Sequence, residues 1–519
     1  MASARPGPAS SHTVVRGLAD RTAALVGWTV AWRGVSAIGY AALGYMLVRQ
    51  LPASEYGRYT LVVSVLVYIA LLTTFGQDQS LLRYLPELLN RGDRSAARDL
   101  LRKSAIAVVI VWVVTSGVVI VLRPWIDQVL RAQIGDLLAL GTILLLASIA
   151  SGVLSFALVA IYDMRSQAFA TAVAAALQVV LAYVLIRRGG HAGSVLLAGA
   201  VAQSTLAAFY LSVLLRRIRR SEGIPGERIG WRRLLMYASG WLPSLLIANA
   251  VGLQFESLFL VRFTGSTMVA YYDTGYNVPQ RLVALIPSLL TGAWVVGTLE
   301  GARGEAAGIR AAVIAFYKGI FLVGFPLLIA GLGLLGPLVL ALYTYRPAAQ
   351  IAPVMLGFFI AALLATPWGL VVRVRELAWL NALISIAQVG VAAVADFWLI
   401  QRYGLWGAVA AVGLTTVLTL VLTFVAWRAA DRSSLAIPWA YAGRCLLASL
   451  PYALLLGLLT VHLRLRSLLA VTLLLAIVAS IGWLYLVRQL GLLARHEVPL
   501  LHESRQAPVR FVLRYLAPD

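Results

Sequence analysis

Long apolar runs alternate with short polar or charged turns along almost the whole chain. About fourteen of these runs are long enough to cross roughly 30 Å of hydrocarbon as helices. They are predicted at 25–47, 58–81, 104–122, 137–161, 167–186, 194–215, 235–260, 268–296, 311–335, 349–372, 376–400, 406–427, 442–462 and 467–487. The pattern therefore predicts an all-α integral membrane protein with about 14 transmembrane helices.

A helical hairpin over 45–87 is the most sharply defined unit of this pattern. Two membrane-length runs are joined by a turn that contains Pro52 and Gly57, and the second run closes in a polar and basic segment around Arg83. The segment 47–49 with Tyr59 recurs as 260–262 with Tyr272 at an offset of 213, and features of 185–195 recur in 399–409 at an offset of 214. The hairpin is therefore predicted to have a counterpart in the second half of the chain.

The near-constant offset predicts two six-helix lobes. Because six is an even number, both lobes enter the membrane from the same side, as a parallel repeat with a pseudo-two-fold axis along the membrane normal. The predicted parts are a disordered cytoplasmic tail (1–17), a first lobe (18–215), a basic linker (216–233), a second lobe (234–428), two further helices (429–488) and a basic cytoplasmic tail (489–519). In transporters of this construction the substrate site lies between the lobes.

Composition and charge place the chain in the membrane and exclude a nucleic-acid partner. Of the 519 residues, 61% are hydrophobic and only 12% are charged, which a soluble protein does not match. The net charge of +22 is explained by basic loops that face anionic membrane lipids. About 30 of the 43 Lys and Arg fall in loops on the side of the amino terminus. This asymmetry predicts a multi-pass protein with both termini in the cytoplasm.

Three segments resemble a known family. They are QLPASEYGRY at 50–59, LLRYLPE at 81–87 and YGLWGA at 403–408. Together with the plan of about fourteen spans, they are similar to the polysaccharide biosynthesis proteins, the Wzx-type flippases of the multidrug/oligosaccharidyl-lipid/polysaccharide (MOP) exporter superfamily. The resemblance covers nearly the whole chain and is specific to the family, not to one substrate.

The resemblance implies a transport function in the cell envelope. It implies translocation of an undecaprenyl-diphosphate-linked oligosaccharide from the inner to the outer leaflet of the cytoplasmic membrane, by alternating access. Possible protein partners are a polysaccharide polymerase or ligase and glycosyltransferases. Relatives hold the diphosphate with arginines in their first and eighth helices, and the matching residues here are Arg33 and Arg281.

Arg33 and Arg281 also stand out on physical grounds, because both lie within apolar spans. Such a charge should face a bundle interior or water, and a guanidinium fork can hold two phosphate oxygens at any working pH. Pro279 is expected to interrupt the span around Arg281, and such a break usually lines a cavity. Two simpler readings stay open: Arg33 extends to the interface or pairs with a carboxylate, and Arg281 pairs with Glu256 or Asp273.

Arg83 is a third candidate for contact with substrate, although its position also fits an ordinary cytoplasmic helix end. Asp78 lies five residues before Arg83 at the close of the second predicted span. An ion pair between the two would require the helix to bend. Asp78 is therefore a candidate charge partner.

Three further residues are candidates for coupling transport to an ion. Glu256 lies deep in the seventh predicted span, where it could neutralise an arginine, take up a proton or cation, or form a static ion pair. Some relatives bind sodium between the seventh and eleventh helices through Asp and Asn. Asp396 and Asn381 lie on the eleventh predicted span, but not at the close spacing expected. Coupling to Na⁺ or H⁺ therefore stays open.

No enzymatic cofactor is expected. The two lysines, Lys103 and Lys318, do not follow a glycine, so no phosphate-binding loop of the Gly-Lys-Ser/Thr type is present. Cys445 is the single cysteine and the five histidines are scattered, so a metal centre is not predicted. The alternatives are a multidrug or cation antiporter of the same superfamily and a membrane-embedded polymerase or ligase. The preferred prediction is a transporter that is not an enzyme.

Overall fold

The computed structural model describes residues 34–161, 163–220, 229–239, 255–284, 306–374, 378–430 and 436–462, with single positions at 32, 286–287, 482–483, 485 and 488–489. Within these residues the regular secondary structure is entirely helical. Nine helices in this described part are long and apolar enough to cross a membrane. The all-α membrane architecture is confirmed. The number fourteen is not confirmed, because the first, seventh, eighth and fourteenth predicted spans lie partly or largely outside the described residues.

The helices of the first half of the chain follow one another with short turns. They are α1 (34–50), α2 (Ala53–Thr74), α3 (Gln77–Asn90), α4 (Arg94–Leu130), α5 (Gly135–Ala160), α6 (Met164–Arg187) and α7 (Ala192–Arg220). Asp93 and Asp163 cap α4 and α6, because each side chain accepts a hydrogen bond from a backbone N–H of the first turn. These caps fix the residues at which α4 and α6 begin.

After residue 255, the structure describes eight α-helices of seven residues or more. They are α8 (Glu256–Thr264), α9 (Ser266–Val283), α10 (Ala306–Tyr343), α11 (Arg346–Ala362), α12 (Trp368–Val374), α13 (Ala378–Ala395), α14 (Leu405–Ala430) and α15 (Trp439–His462). A π-helical turn, Asp396–Ile400, directly follows α13. Turns of this kind are rare and occur frequently at functional sites.

The predicted second span, 58–81, is wrong at its end. The helix α2 stops at Thr74, because Phe75 (φ 46°) and Gly76 (φ 67°) take left-handed backbone conformations. Gly76 also packs against the backbone of Ala238, whose carbonyl carbon would lie 2.9 Å from a Cβ at this position. A side chain would therefore fit neither the backbone conformation nor the space. Asp78 and Arg83 consequently lie on a separate helix, α3, and not at the end of the span.

The internal repeat reappears in the positions at which helices begin. Helices α2 and α9 begin 213 residues apart, at Ala53 and Ser266. Helices α7 and α14 also begin 213 residues apart, at Ala192 and Leu405. The offset between recurring residues in the sequence is therefore also the offset between the first residues of corresponding helices in the two halves.

Two apolar cores hold the helices together, and each contains residues from both halves. The first core joins Leu47 and Tyr56 of the first half to Ala270 and Val339 of the second. The second core joins Leu61 of α2 to Tyr272 of α9. Close packing of apolar side chains leaves little room for water. The halves are therefore in dry contact at these positions.

Substituting Gly407 with alanine is expected to destabilise the fold by about 1–3 kcal/mol. A methyl group here would overlap the carbonyl oxygen of Leu399 and lie 2.7 Å from the backbone nitrogen of Ile400, so α14 would be pushed away from the π-helical turn. The measurement is thermal unfolding of the purified protein in detergent. Gly390→Ala is the matched control, because no atom lies within 4 Å of its added methyl. An equal loss of stability in both variants would contradict the packing argument.

Candidate functional site

Arg281 lies in the last turn of α9 and its side chain is exposed. Pro279 lies inside this helix and does not interrupt it, because α9 runs on to Val283; the expected break at Pro279 is therefore wrong. A proline lacks an N–H, so the carbonyl of Gly275 loses its usual helical donor. Arg281 thus projects from a continuous helix, not from a broken one.

Three tyrosines of different helices surround Arg281. Tyr40 of α1, Tyr59 of α2 and Tyr343 of α10 each lie within electrostatic reach of the guanidinium. Among the residues that the structure describes, Arg281 forms no ion pair with Glu256 or Asp273. The simpler reading of Arg281 as half of such a pair is therefore wrong. A guanidinium that is exposed and has no ion pair with these carboxylates suits an anionic group.

Asp273 lies two turns before Arg281 on α9 and has partners of its own. Its Oδ2 accepts a hydrogen bond from the Tyr56 hydroxyl at 2.7 Å, and its Oδ1 accepts one from Asn277 Nδ2 at 2.6 Å. Residues spaced by four lie on the same face of a helix. Asp273, Asn277 and Arg281 therefore form a polar stripe along α9. Asp273 was named only as a possible ion-pair partner, and Asn277 was missed although this spacing could have found it.

Glu256 and Asp396 form a second site, away from Arg281. Glu256 lies in the first turn of α8, which packs against the π-helical turn that begins at Asp396. Asp396 is fully buried, and Glu256 lies within its electrostatic reach. Neither carboxylate oxygen of Asp396, nor Oε2 of Glu256, accepts a hydrogen bond from any described residue. Among the described residues, the pair is thus a buried acidic site without a cationic partner.

Three tyrosines border this acidic pair. Tyr68 of α2 lies within electrostatic reach of both carboxylates, and Tyr276 within reach of Glu256. The Tyr272 hydroxyl lies beside Glu256, but within the described part of the chain it completes no hydrogen bond of normal geometry. Buried ionised carboxylates are costly without a partner. The site can therefore accept a proton or a monovalent cation.

Asn381 does not belong to this site as the structure places it. It lies on α13, fifteen residues before Asp396, which is about 22 Å along a helix axis. Within the described residues there is also no group of three His, Cys, Asp or Glu side chains that could hold a metal ion. The wide spacing of Asn381 and Asp396 in the sequence is therefore also a wide spacing along the helix axis.

Asp78 and Arg83 do not form an ion pair with each other. Asp78 is buried at the start of α3, and its Oδ2 accepts a hydrogen bond from Gln79 Nε2 at 2.9 Å. Arg83 is exposed and lines an open cleft of about 620 Å³ with Leu82, Pro86, Glu87 and Arg91. No ion pair links Asp78 and Arg83 within this described helix. Arg33 lies outside the described residues.

The sequence profile of the family described as "Polysaccharide biosynthesis protein" matches residues 25–295, which is more than half of the chain. The chain belongs to this family. The match includes the first hairpin, Glu256 and Arg281. No curated protein matches the whole sequence significantly.

Solved structures similar to this family member are transporters of the MOP superfamily. The lipid II flippase MurJ in an inward closed conformation superposes with a TM-score of 0.68, at 9% identity, covering 90% of this chain and 98% of MurJ. An outward-facing MATE multidrug resistance transporter gives a TM-score of 0.54, at 16% identity, covering 83% and 100% of the two chains. A MOP superfamily transporter from Pyrococcus furiosus gives 0.52, at 17% identity, covering 82% and 100%. At these identities the likeness shows the fold.

The chain is thus a member of the polysaccharide biosynthesis family with the fold of the MurJ flippase and the MATE transporters. It is a multi-pass membrane protein of polysaccharide biosynthesis. Within that class, the two polar sites differ in charge. One presents an exposed cation at Arg281 and the other a buried acidic pair, so they suit different ligands.

Proposed function

We propose that this protein translocates a polyprenyl-diphosphate-linked oligosaccharide from the inner to the outer leaflet of the cytoplasmic membrane. The observation that carries the proposal is Arg281, an exposed guanidinium without an ion pair to the described carboxylates, on a helix of a polysaccharide-family transporter. A sugar diphosphate is too polar to cross hydrocarbon unaided. A cation between the halves lowers that barrier because it replaces water as the partner of the phosphates.

The exposed guanidinium of Arg281 suits the diphosphate, while the polyprenyl tail can stay in lipid. Arg33 is proposed as a second arginine of the same site, and Arg83 as a contact at the entrance, where it lines an open cleft. With both termini in the cytoplasm, the translocated product would be delivered outside. A polymerase or ligase for lipid-linked sugars would consume it there, and glycosyltransferases would supply the substrate inside.

We propose that the acidic pair couples transport to Na⁺ or H⁺. Glu256 and Asp396 lie on elements that approach each other in the second half, and both have oxygens without hydrogen-bond donors among the described residues. Binding a cation or proton removes the cost of two buried like charges. A bound cation or proton would therefore favour the conformation in which α8 and the π-helical turn lie close together.

The test is leaflet exchange by the full-length protein in proteoliposomes. We expect a fluorescent polyprenyl diphosphate that carries one sugar to exchange about tenfold faster than the matching monophosphate, because the second phosphate adds charge-assisted hydrogen bonds to arginine. The readout is the fraction of fluorophore that impermeant dithionite can quench.

Two further probes separate the alternatives. Transport of a lipophilic cationic dye without exchange of the diphosphate lipid would favour the multidrug or cation antiporter, which the MATE-like fold and the acidic pair would suit. Extension or transfer of the sugar, measured by mass spectrometry, would favour a polymerase or ligase. Failure to move any of the probes in well-folded protein would contradict the proposal.

A further inference from the structure

Three turns of the two halves meet at one end of the molecule. The turn between α1 and α2 contains Pro52, the turn between α8 and α9 contains Gly265, and the turn between α10 and α11 contains Thr344. Side chains and backbone from the first half contact the second half here at three points. This end is therefore closed by specific contacts in addition to apolar packing.

The first contact is a fork from Arg49 of α1 onto the end of α10. Its Nε donates to the carbonyl oxygen of Leu342 at 3.1 Å, and its Nη2 donates to that of Ala341 at 3.0 Å. The last four carbonyls of a helix have no donor within the helix and carry the negative end of its dipole. The Arg49 guanidinium donates to two of these carbonyls, and its positive charge interacts favourably with the negative end of the dipole. The contact therefore stabilises the end of α10.

The second contact is the buried hydrogen bond from Tyr56 of α2 to Asp273 of α9, at 2.7 Å. Tyr56 is only 6% exposed, so water does not easily replace the phenol as donor. The other oxygen of Asp273 accepts from Asn277. The carboxylate is thus oriented by its own helix toward the opposite half of the chain.

The third contact is backbone against backbone. A methyl group on Gly57 would overlap the carbonyl oxygen of Ser266 and lie 2.7 Å from its carbonyl carbon. The missing side chain therefore lets the first turn of α2 touch the first turn of α9. That close approach brings the neighbouring Tyr56 within reach of Asp273.

We propose that Arg49 and Tyr56 form a latch that holds this end of the two halves together, and that the latch must release before this end can open. The latch acts on α9 at its first turns, whereas Arg281 lies exposed in its last turn. Opening and closing at one end therefore moves the same helix that carries the candidate substrate arginine. The latch itself does not depend on which substrate is carried.

The test measures the distance between the halves at the latched end. Spin labels are attached at Ser54→Cys and Gln350→Cys, two exposed positions on α2 and α11, in a Cys445→Ser background that removes the single native cysteine. Double electron–electron resonance is recorded on the full chain in lipid nanodiscs without substrate. We expect Arg49→Ala combined with Tyr56→Phe to raise the ratio of long to short distances about tenfold.

Gly57→Ala tests the same contact by a different route. Its methyl should wedge α2 and α9 apart and raise the long-distance population, whereas Gly117→Ala, with nothing within 4 Å of its methyl, should not. Arg58→Ala is the control for Arg49, because Arg58 contacts Glu55 and the backbone of Gln133, both in the first half. Melting temperatures identify any variant that has merely lost its fold.

An unchanged distance distribution in the Arg49/Tyr56 and Gly57 variants would overturn the latch. An equal shift in Arg58→Ala would overturn it too, because the effect would then reflect general loosening. Since the measurement contains no substrate, either result leaves the proposed transport function untouched.

Discussion

Arg281→Ala is expected to lower the rate of diphosphate-lipid exchange by about 100-fold. The substitution removes a fork that can make two charge-assisted hydrogen bonds to phosphate. The structure offers no substitute on the same helix, because α9 contains no other Lys or Arg. The measurement is the dithionite assay with the fluorescent polyprenyl-diphosphate sugar.

Two control variants make this result specific. Arg281→Lys keeps the positive charge but loses the planar fork, so an intermediate rate is expected. Arg402→Ala removes an exposed arginine that stacks on Tyr403, with the guanidinium carbon 5.6 Å from the ring centroid, and should leave exchange unchanged. A normal rate in well-folded Arg281→Ala protein would remove Arg281 from the site, whatever the substrate.

Asp396→Asn is expected to stabilise the protein and, at the same time, to impair ion-driven transport. An amide has no charge to desolvate, so the substitution should add about 1–3 kcal/mol to the free energy of unfolding. The same change removes the group that would bind the coupling ion. Stability and function should therefore move in opposite directions, as at other strained functional sites.

The measurement is the melting temperature of wild type and variant in titrations of sodium ions and of protons. A ligand that binds only the folded state raises the melting temperature, so the wild type should respond to its coupling ion and Asp396→Asn should not. Glu256→Gln should behave in the same way. Asp136→Asn is the control, because the Asp136 side chain is 95% exposed. A variant that keeps the full wild-type response would contradict a role for the pair.

The membrane class, the helical architecture and the repeat could be predicted from the sequence, because each depends on local information. A membrane-length apolar run forms a helix wherever it lies, since hydrocarbon cannot satisfy free backbone groups. The offset of 213 was visible in residues 47–59 and 260–272 and returned in the start positions of α2 and α9. Arg281 could be found for the same reason, because a charge in an apolar run is conspicuous.

Positions at which distant segments meet could not be predicted in this way. Helix α2 was expected to continue to 81, but it stops at Thr74, where Gly76 packs on Ala238. Glu256 and Asp396 were separate candidates until packing of α8 on the π-helical turn made them one acidic pair.

By itself, the sequence determined that this protein folds in a membrane and that its spans are helical. It also determined which charged residues lie within apolar runs. Only the tertiary structure decided which of these charged groups have a bonding partner. Asp273 has a partner 217 residues away, whereas Arg281 has no carboxylate partner among the described residues. The physical reason is that apolar runs act through their local transfer free energy, whereas a buried charge depends on neighbours that only folding brings near.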